Sequence, residues 1–132
     1  MKKILIRTIC LLLIITTISP SVFAEDSNAI QPRYTYARLV VAEIDINNGI
    51  AICSATLRTY DQHDLKITCQ LQQKFDGKWK PIATWYEETS NSRFVMSERN
   101  HTILNGQEYR FVVYGYIYSG DSLLETVYTY AI

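Results

Sequence analysis

The sequence predicts an all-β domain, a two-sheet antiparallel β-sandwich of about seven strands, preceded by an export signal. Three observations predict it. From residue 37 onward nearly every segment alternates apolar and polar residues with period two, the spacing that sends successive side chains to opposite faces of a strand. Val, Ile, Thr, Tyr and Phe dominate these segments. Turn-forming residues, Asn47-Asn48-Gly49, Asp76-Gly77 and Ser119-Gly120-Asp121-Ser122, punctuate them. No window offers a helical stripe with caps. Short strands at regular spacing, joined by hairpin turns, suit a sandwich, with a small barrel as the alternative.

The elements follow in order. Lys2, Lys3 and Arg7 give residues 1–24 a positive start. The apolar run Ile9-Cys10-Leu11-Leu12-Leu13-Ile14-Ile15 comes next, and Pro20 precedes Ser21-Val22-Phe23-Ala24. That is the order of a secretory signal peptide, with cleavage after Ala24. The apolar core is only about 10 residues, half of the roughly 20 that a spanning helix needs. Three of the 13 basic residues and none of the 13 acidic ones fall in this segment, so the mature chain carries a net charge of −3. No basic cluster is legible, which argues against nucleic acid as a partner. No second apolar segment follows, so no membrane attachment is expected after cleavage. The C-terminal residues Val127 to Ile132 are strand-like, which leaves no tail for a sorting or lipid signal.

Residues 25–35 are polar and contain Pro32, and read as a flexible leader to a domain over 36–132. The first strand is expected over 37–46 and the second over 50–58, with residues 59–64 as a polar loop. The third runs over 65–75. The fourth runs over 79–87, and Pro81, which cannot donate to a ladder, makes it an edge strand. Residues 88–92 form another polar loop before a fifth strand over 93–99. The sixth spans 108–118 and the seventh 124–132. Alternation assigns inward faces: Ala51, Cys53, Ala55 and Leu57; Leu65, Ile67, Cys69 and Leu71; Tyr109, Phe111, Val113, Gly115 and Ile117.

Two segments carry a resemblance. The segment Thr102-Ile103-Leu104-Asn105-Gly106-Gln107-Glu108-Tyr109-Arg110-Phe111-Val112-Val113 has an aliphatic residue, a polar turn with Gly, and a Tyr six positions after the aliphatic one. Residues 66–79 end in Asp76-Gly77-Lys78-Trp79. Both resemble the fibronectin type III domain, a relative of the immunoglobulin-like sandwiches. The resemblance implies that Tyr109 is a corner residue whose hydroxyl bonds back to nearby backbone. One departure stands out. That family buries a Trp on its second strand, where this chain has Ala51-Ile52-Cys53-Ser54-Ala55. The chain is also similar to short uncharacterised secreted proteins of Gram-positive anaerobes, through its signal segment, the composition of its second strand and Leu71-Gln72. These likenesses imply a sandwich and export, and no activity.

No catalytic motif emerges, and no cofactor is expected. His63 lies in Asp61-Gln62-His63-Asp64, and His101 beside Asn100; both read as loop histidines without a third ligand at a readable spacing. No Gly-x-Ser-x-Gly occurs. Glu87 and Glu88 are adjacent on a strand and so face opposite ways. Asn100-His101-Thr102 matches a glycosylation sequon, a frequent chance match. The two mature cysteines, Cys53 and Cys69, lie eight residues either side of Asp61, which puts them at equal height on successive strands. Export favours a disulfide between them, worth about 3 kcal/mol on the chain-entropy model. Two buried free thiols are the alternative.

One feature points to binding. Of ten tyrosines, Tyr114, Tyr116 and Tyr118 share the outward face of the sixth strand, and Tyr128 and Tyr130 a face of the seventh. Such a patch suits an extracellular glycan, peptide or protein, because Tyr gives contact area at low entropic cost. Cross-strand aromatic support of the sheet is the structural alternative. The expected function is therefore a secreted, non-enzymatic binding module. A small secreted enzyme or enzyme inhibitor acting through its loops, or a matrix subunit assembling through an edge strand, are the alternatives.

Overall fold

A computed structural model describes residues 33–132. The signal peptide expected over 1–24 and most of the leader lie outside the described residues. What remains is all β: β1 (Ala37–Asn47), β2 (Ile50–Phe75), β3 (Lys78–Thr102), β4 (Tyr109–Ser119) and β5 (Ser122–Ala131). All pairings are antiparallel, in the order β1-β2-β4-β5 with β3 also on β2. The result is one continuous sheet curled into a half-barrel.

This differs from the expected seven strands in two sheets. The segments read as polar loops, 59–64 and 88–92, are strand, because β2 and β3 form one long hairpin that stays extended through them. A straight strand of this length would run roughly 85 Å, far beyond the width of a domain this size, so β2 must bend. The bend lies where the β2–β3 register shifts, between Arg58 and Leu65. There Thr59 Oγ1 donates to the Asp61 carbonyl at 2.7 Å, and the Asn91 amide donates to Asp64 Oδ1 at 2.9 Å. Before the bend, β2 lies between β1 and the second half of β3. After it, β2 lies between the first half of β3 and β4.

The turns are where glycine placed them. Asn48 and Gly49, and Asp76 and Gly77, all have positive φ (49°, 76°, 49° and 74°), the signature of a tight two-residue hairpin. Pro81 lies in the first half of β3, which pairs only with β2 throughout and so is an open edge, beside a further register shift at Leu71/Gln72.

The core fills the inside of the curl. All thirteen residues assigned inward by alternation are buried. Trp85, Val95 and Val127 join them. Trp85 stacks on Phe111 with ring centroids 5.6 Å apart and donates its indole N–H to Ser97 Oγ at 2.8 Å. A buried Trp is thus present on β3, although the second expected strand lacks one. Gly115 lies where the two halves of the curl come close. A Cβ there would lie 2.5 Å from Val127 Cγ2 and 3.0 Å from Leu57 Cδ2, so the first half of β2 presses on β4, with which it does not pair.

The free edges of β1 and β5 are drawn together by Glu125. Its carboxylate accepts hydrogen bonds from three successive backbone amides, Thr35 (2.6 Å), Tyr36 (2.9 Å) and Ala37 (2.7 Å). Residues 34–36 therefore have a fixed place on the domain. Tyr34 and Tyr36 pack against the core cluster, and the Tyr36 ring meets His63 edge-on at 5.5 Å.

Candidate functional site

The outer face of β3, β2, β4 and β5 carries the aromatic residues. Register alone builds it. Tyr86, Thr68, Tyr114 and Tyr128 form one row across four strands. The next row on one side is Glu88, Lys66, Tyr116 and Thr126, and on the other Thr84, Gln70, Val112 and Tyr130. Tyr118 pairs with Asp64 and Leu123 at the end of the strip. Rows of this kind span about 14 Å across the strands and follow one another every 7 Å or so.

The five tyrosines singled out from the sequence thus share one surface, with Tyr114 and Tyr128 in direct register. Their rings are 5.3 Å apart between centroids, and those of Tyr128 and Tyr130 6.1 Å. Tyr114, Tyr116 and Tyr118 are half-buried between neighbouring strands, whereas Tyr128, Tyr130 and Tyr86 are exposed. Tyr86 was not among the residues expected there. Its signal was available: Trp85 is inward, so Thr84, Tyr86 and Glu88 must be outward, and the hairpin then places them beside Gln70, Thr68 and Lys66. Tyr34 and Tyr36 lie on the core side, where the Tyr34 hydroxyl is 3.4 Å from the Tyr128 backbone N and O.

Polar side chains border the strip. Lys66 pairs with Glu88 at 3.0 Å and stands 5.0 Å over the Tyr86 ring. At the far end Arg110 lies 4.8 Å over the Trp79 ring and donates through Nε to Gln72 Oε1 at 2.7 Å, while Gln72 Nε2 donates to Gln70 Oε1 at 2.8 Å. Gln72 is buried and committed to this chain of bonds. Val112 is fully buried on this outward side, so the long side chains around it roof the sheet.

No known protein family matches the chain, and no curated protein does. Among solved structures, the E. coli curli protein CsgC is similar, with a TM-score of 0.45 and 5% sequence identity over 69% of this chain and 94% of that one.

The remaining candidates lie elsewhere. Cys53 and Cys69 are both buried inside the curl as free thiols rather than a bridged pair. They sit on the two halves of one bent strand and belong to the same buried core cluster as small hydrophobes. Burial pushes the Cys53 thiol up to about 11. Burial, with the nearby Cys53 and Glu87, pushes Cys69 up to about 12, against smaller opposing effects of Arg99 and Ser97. Neither is poised as a nucleophile, which requires a thiolate. His63 turns to Tyr36 and Asp64 to the Asn91 amide, and the described residues hold no cluster of three metal-ligating side chains. Glu87 and Glu88 point apart, to Arg99 (3.5 Å) and Lys66 respectively. The Tyr109 hydroxyl accepts from the Leu104 amide and donates to the Leu104 carbonyl, both at 3.0 Å, which is the bonding of a tyrosine corner.

Proposed function

We propose that the protein is a secreted, non-enzymatic binding module that holds an extracellular glycan on the outer face of β3, β2, β4 and β5. The observation that carries the reading is the row Tyr86–Thr68–Tyr114–Tyr128, flanked by Tyr116 and Tyr130. Rings on a nearly continuous sheet surface offer stacking to sugar faces. The hydroxyls, Thr68 and Lys66 offer hydrogen bonds to sugar oxygens. Tyrosine supplies this contact at low entropic cost. A peptide or protein ligand on the same face is the alternative.

The signal-like order of residues 1–24 in the sequence supports the extracellular setting, and an intact mass beginning at Glu25 for the protein from culture medium tests it. The finer fold reading is a fibronectin type III-like sandwich. It is supported by the exchange of partners at the β2 bend, which divides the five strands into seven strand segments, and by the Tyr109–Leu104 bonds.

The test is a Tyr128→Ser, Tyr130→Ser double variant, chosen because both rings are exposed and support no core packing. Wild type and variant are compared for retention on glycans of the producer's envelope and on a glycan array. Loss of retention by a variant with an unchanged unfolding midpoint is expected. A folded variant retained as tightly as wild type would place the binding surface elsewhere.

A further inference from the structure

The opposite outer face, on β1, the first half of β2 and the second half of β3, has a different character. Its rows are Leu39–Arg58–Phe94, Val41–Thr56–Met96, Glu43–Ser54–Glu98 and Asp45–Ile52–Asn100. One end is cationic. Arg38, Arg58 and Arg93 line a hollow of about 360 Å³ with Tyr60, Phe94 and Met96, and none of the three forms an ion pair among the described residues. The other end is anionic, with Glu43, Asp45 and Glu98 all exposed and likewise unpaired among the described residues. Between the ends lie Val41 and the exposed Met96, with Leu39 and Phe94, also exposed, on the cationic side.

We infer that this face binds a second copy of the chain, in a two-fold dimer whose axis crosses the strands at the Val41–Thr56–Met96 row. The geometry follows from the row order alone. A two-fold axis in the plane of the sheet reverses the strands and leaves the left-to-right order unchanged. The Arg58 row of one copy then covers the Ser54 row of the other. Arg58 lands between Glu43 and Glu98 of the second copy, and by symmetry the same contact forms twice. At the axis Met96 meets Met96 and Val41 meets Val41, and on either side Leu39 and Phe94 cover the stems of Glu43 and Glu98 while Arg58 reaches between the two carboxylates. Stacked sheets lie about 10 Å apart, a gap that an extended arginine and a glutamate can close. An interface of this kind is isologous, and a patch must be self-complementary to form one. A face with three arginines at one end and three carboxylates at the other, none of them in an ion pair among the described residues, meets that requirement. The inference is independent of the aromatic face, which lies on the other half of the curl.

Sedimentation equilibrium over a concentration series, at low and high salt, tests it. Wild type is expected to shift from monomer to dimer mass as concentration rises, with weaker association at high salt. Arg58→Glu, and separately Glu43→Arg with Glu98→Arg, should each weaken association roughly tenfold or more. An equimolar mixture of these two variants should regain the dimer, because in the mixed pair one contact forms with reversed sign and the other with its native sign. Arg58→Gln, with thermal midpoints for all variants, separates lost association from lost folding. Monomer at every concentration, a dimer indifferent to both reversals, or no recovery on mixing would each overturn the inference. A monomer that binds inorganic phosphate through Arg58 would likewise overturn it and make the arginine end an anion site.

Discussion

Replacing Gly115 by Ala tests the close packing of the first half of β2 and of β5 on β4. Gly115 has no positive φ, so an alanine can take its backbone conformation, and any cost must come from packing. The added methyl meets Val127 Cγ2 at 2.5 Å and Leu57 Cδ2 at 3.0 Å, and both partners are almost wholly buried, without solvent into which to shift. Overpacking of this kind costs about 1–3 kcal/mol, offset by about 0.4–1 kcal/mol from the stiffer unfolded chain. A net loss of about 1–2 kcal/mol is expected. Val127→Ala alone should cost about 2 kcal/mol through lost burial and a cavity. Combined, the changes should cost less than their sum by about 1 kcal/mol or more, because the alanine methyl occupies the space that the valine methyl vacates. Urea unfolding of the four proteins, with equal m-values, measures the cycle. Additivity within about 0.5 kcal/mol, or a Gly115→Ala protein as stable as wild type, would refute the packing of Leu57 and Val127 over β4.

Tyr109→Phe removes both hydrogen bonds to Leu104, and since Leu104 is exposed its backbone regains water; a loss of about 1 kcal/mol, or about 4–8 °C in Tm, is expected by calorimetry, and an unchanged midpoint would mean that the corner contributes nothing. Cys53 and Cys69 should resist iodoacetamide at pH 8 in the native protein and both react after denaturation without reductant, read by mass; a denatured protein that takes up no label is bridged. Their raised thiol values also set a pH dependence. The unfolded thiols lose protons near the ordinary value of 9.0 while the folded ones hold theirs, so this stabilisation is complete below pH 9 and falls as pH rises toward 11–12. A Cys53→Ala, Cys69→Ala variant should show a shallower alkaline fall in urea midpoint, and identical slopes would exclude the thiols as its source.

The sequence by itself determined which side chains face inward. Period-two alternation is a local property of extended chain, so thirteen core positions, the Asn48-Gly49 and Asp76-Gly77 turns and the edge character of Pro81 could be read one segment at a time. It also determined that Tyr114, Tyr116 and Tyr118 share a face. Local pattern failed at 59–64 and 88–92, where polar residues looked like loops although the β2–β3 hairpin runs on through its bend. Only the tertiary structure decided what lies beside what. It brought Tyr86 into the row of Tyr114 and Tyr128, set Leu57 against Gly115, left Cys53 and Cys69 as neighbouring thiols, and put Glu125 under the amides of residues 35–37. It also assembled one face with arginines at one end and carboxylates at the other from three strands that show no charge pattern singly. The reason is physical: alternation fixes the side of the sheet on which a residue lies, while its neighbours are fixed by register, bend and curl, which depend on pairings between residues far apart in the chain.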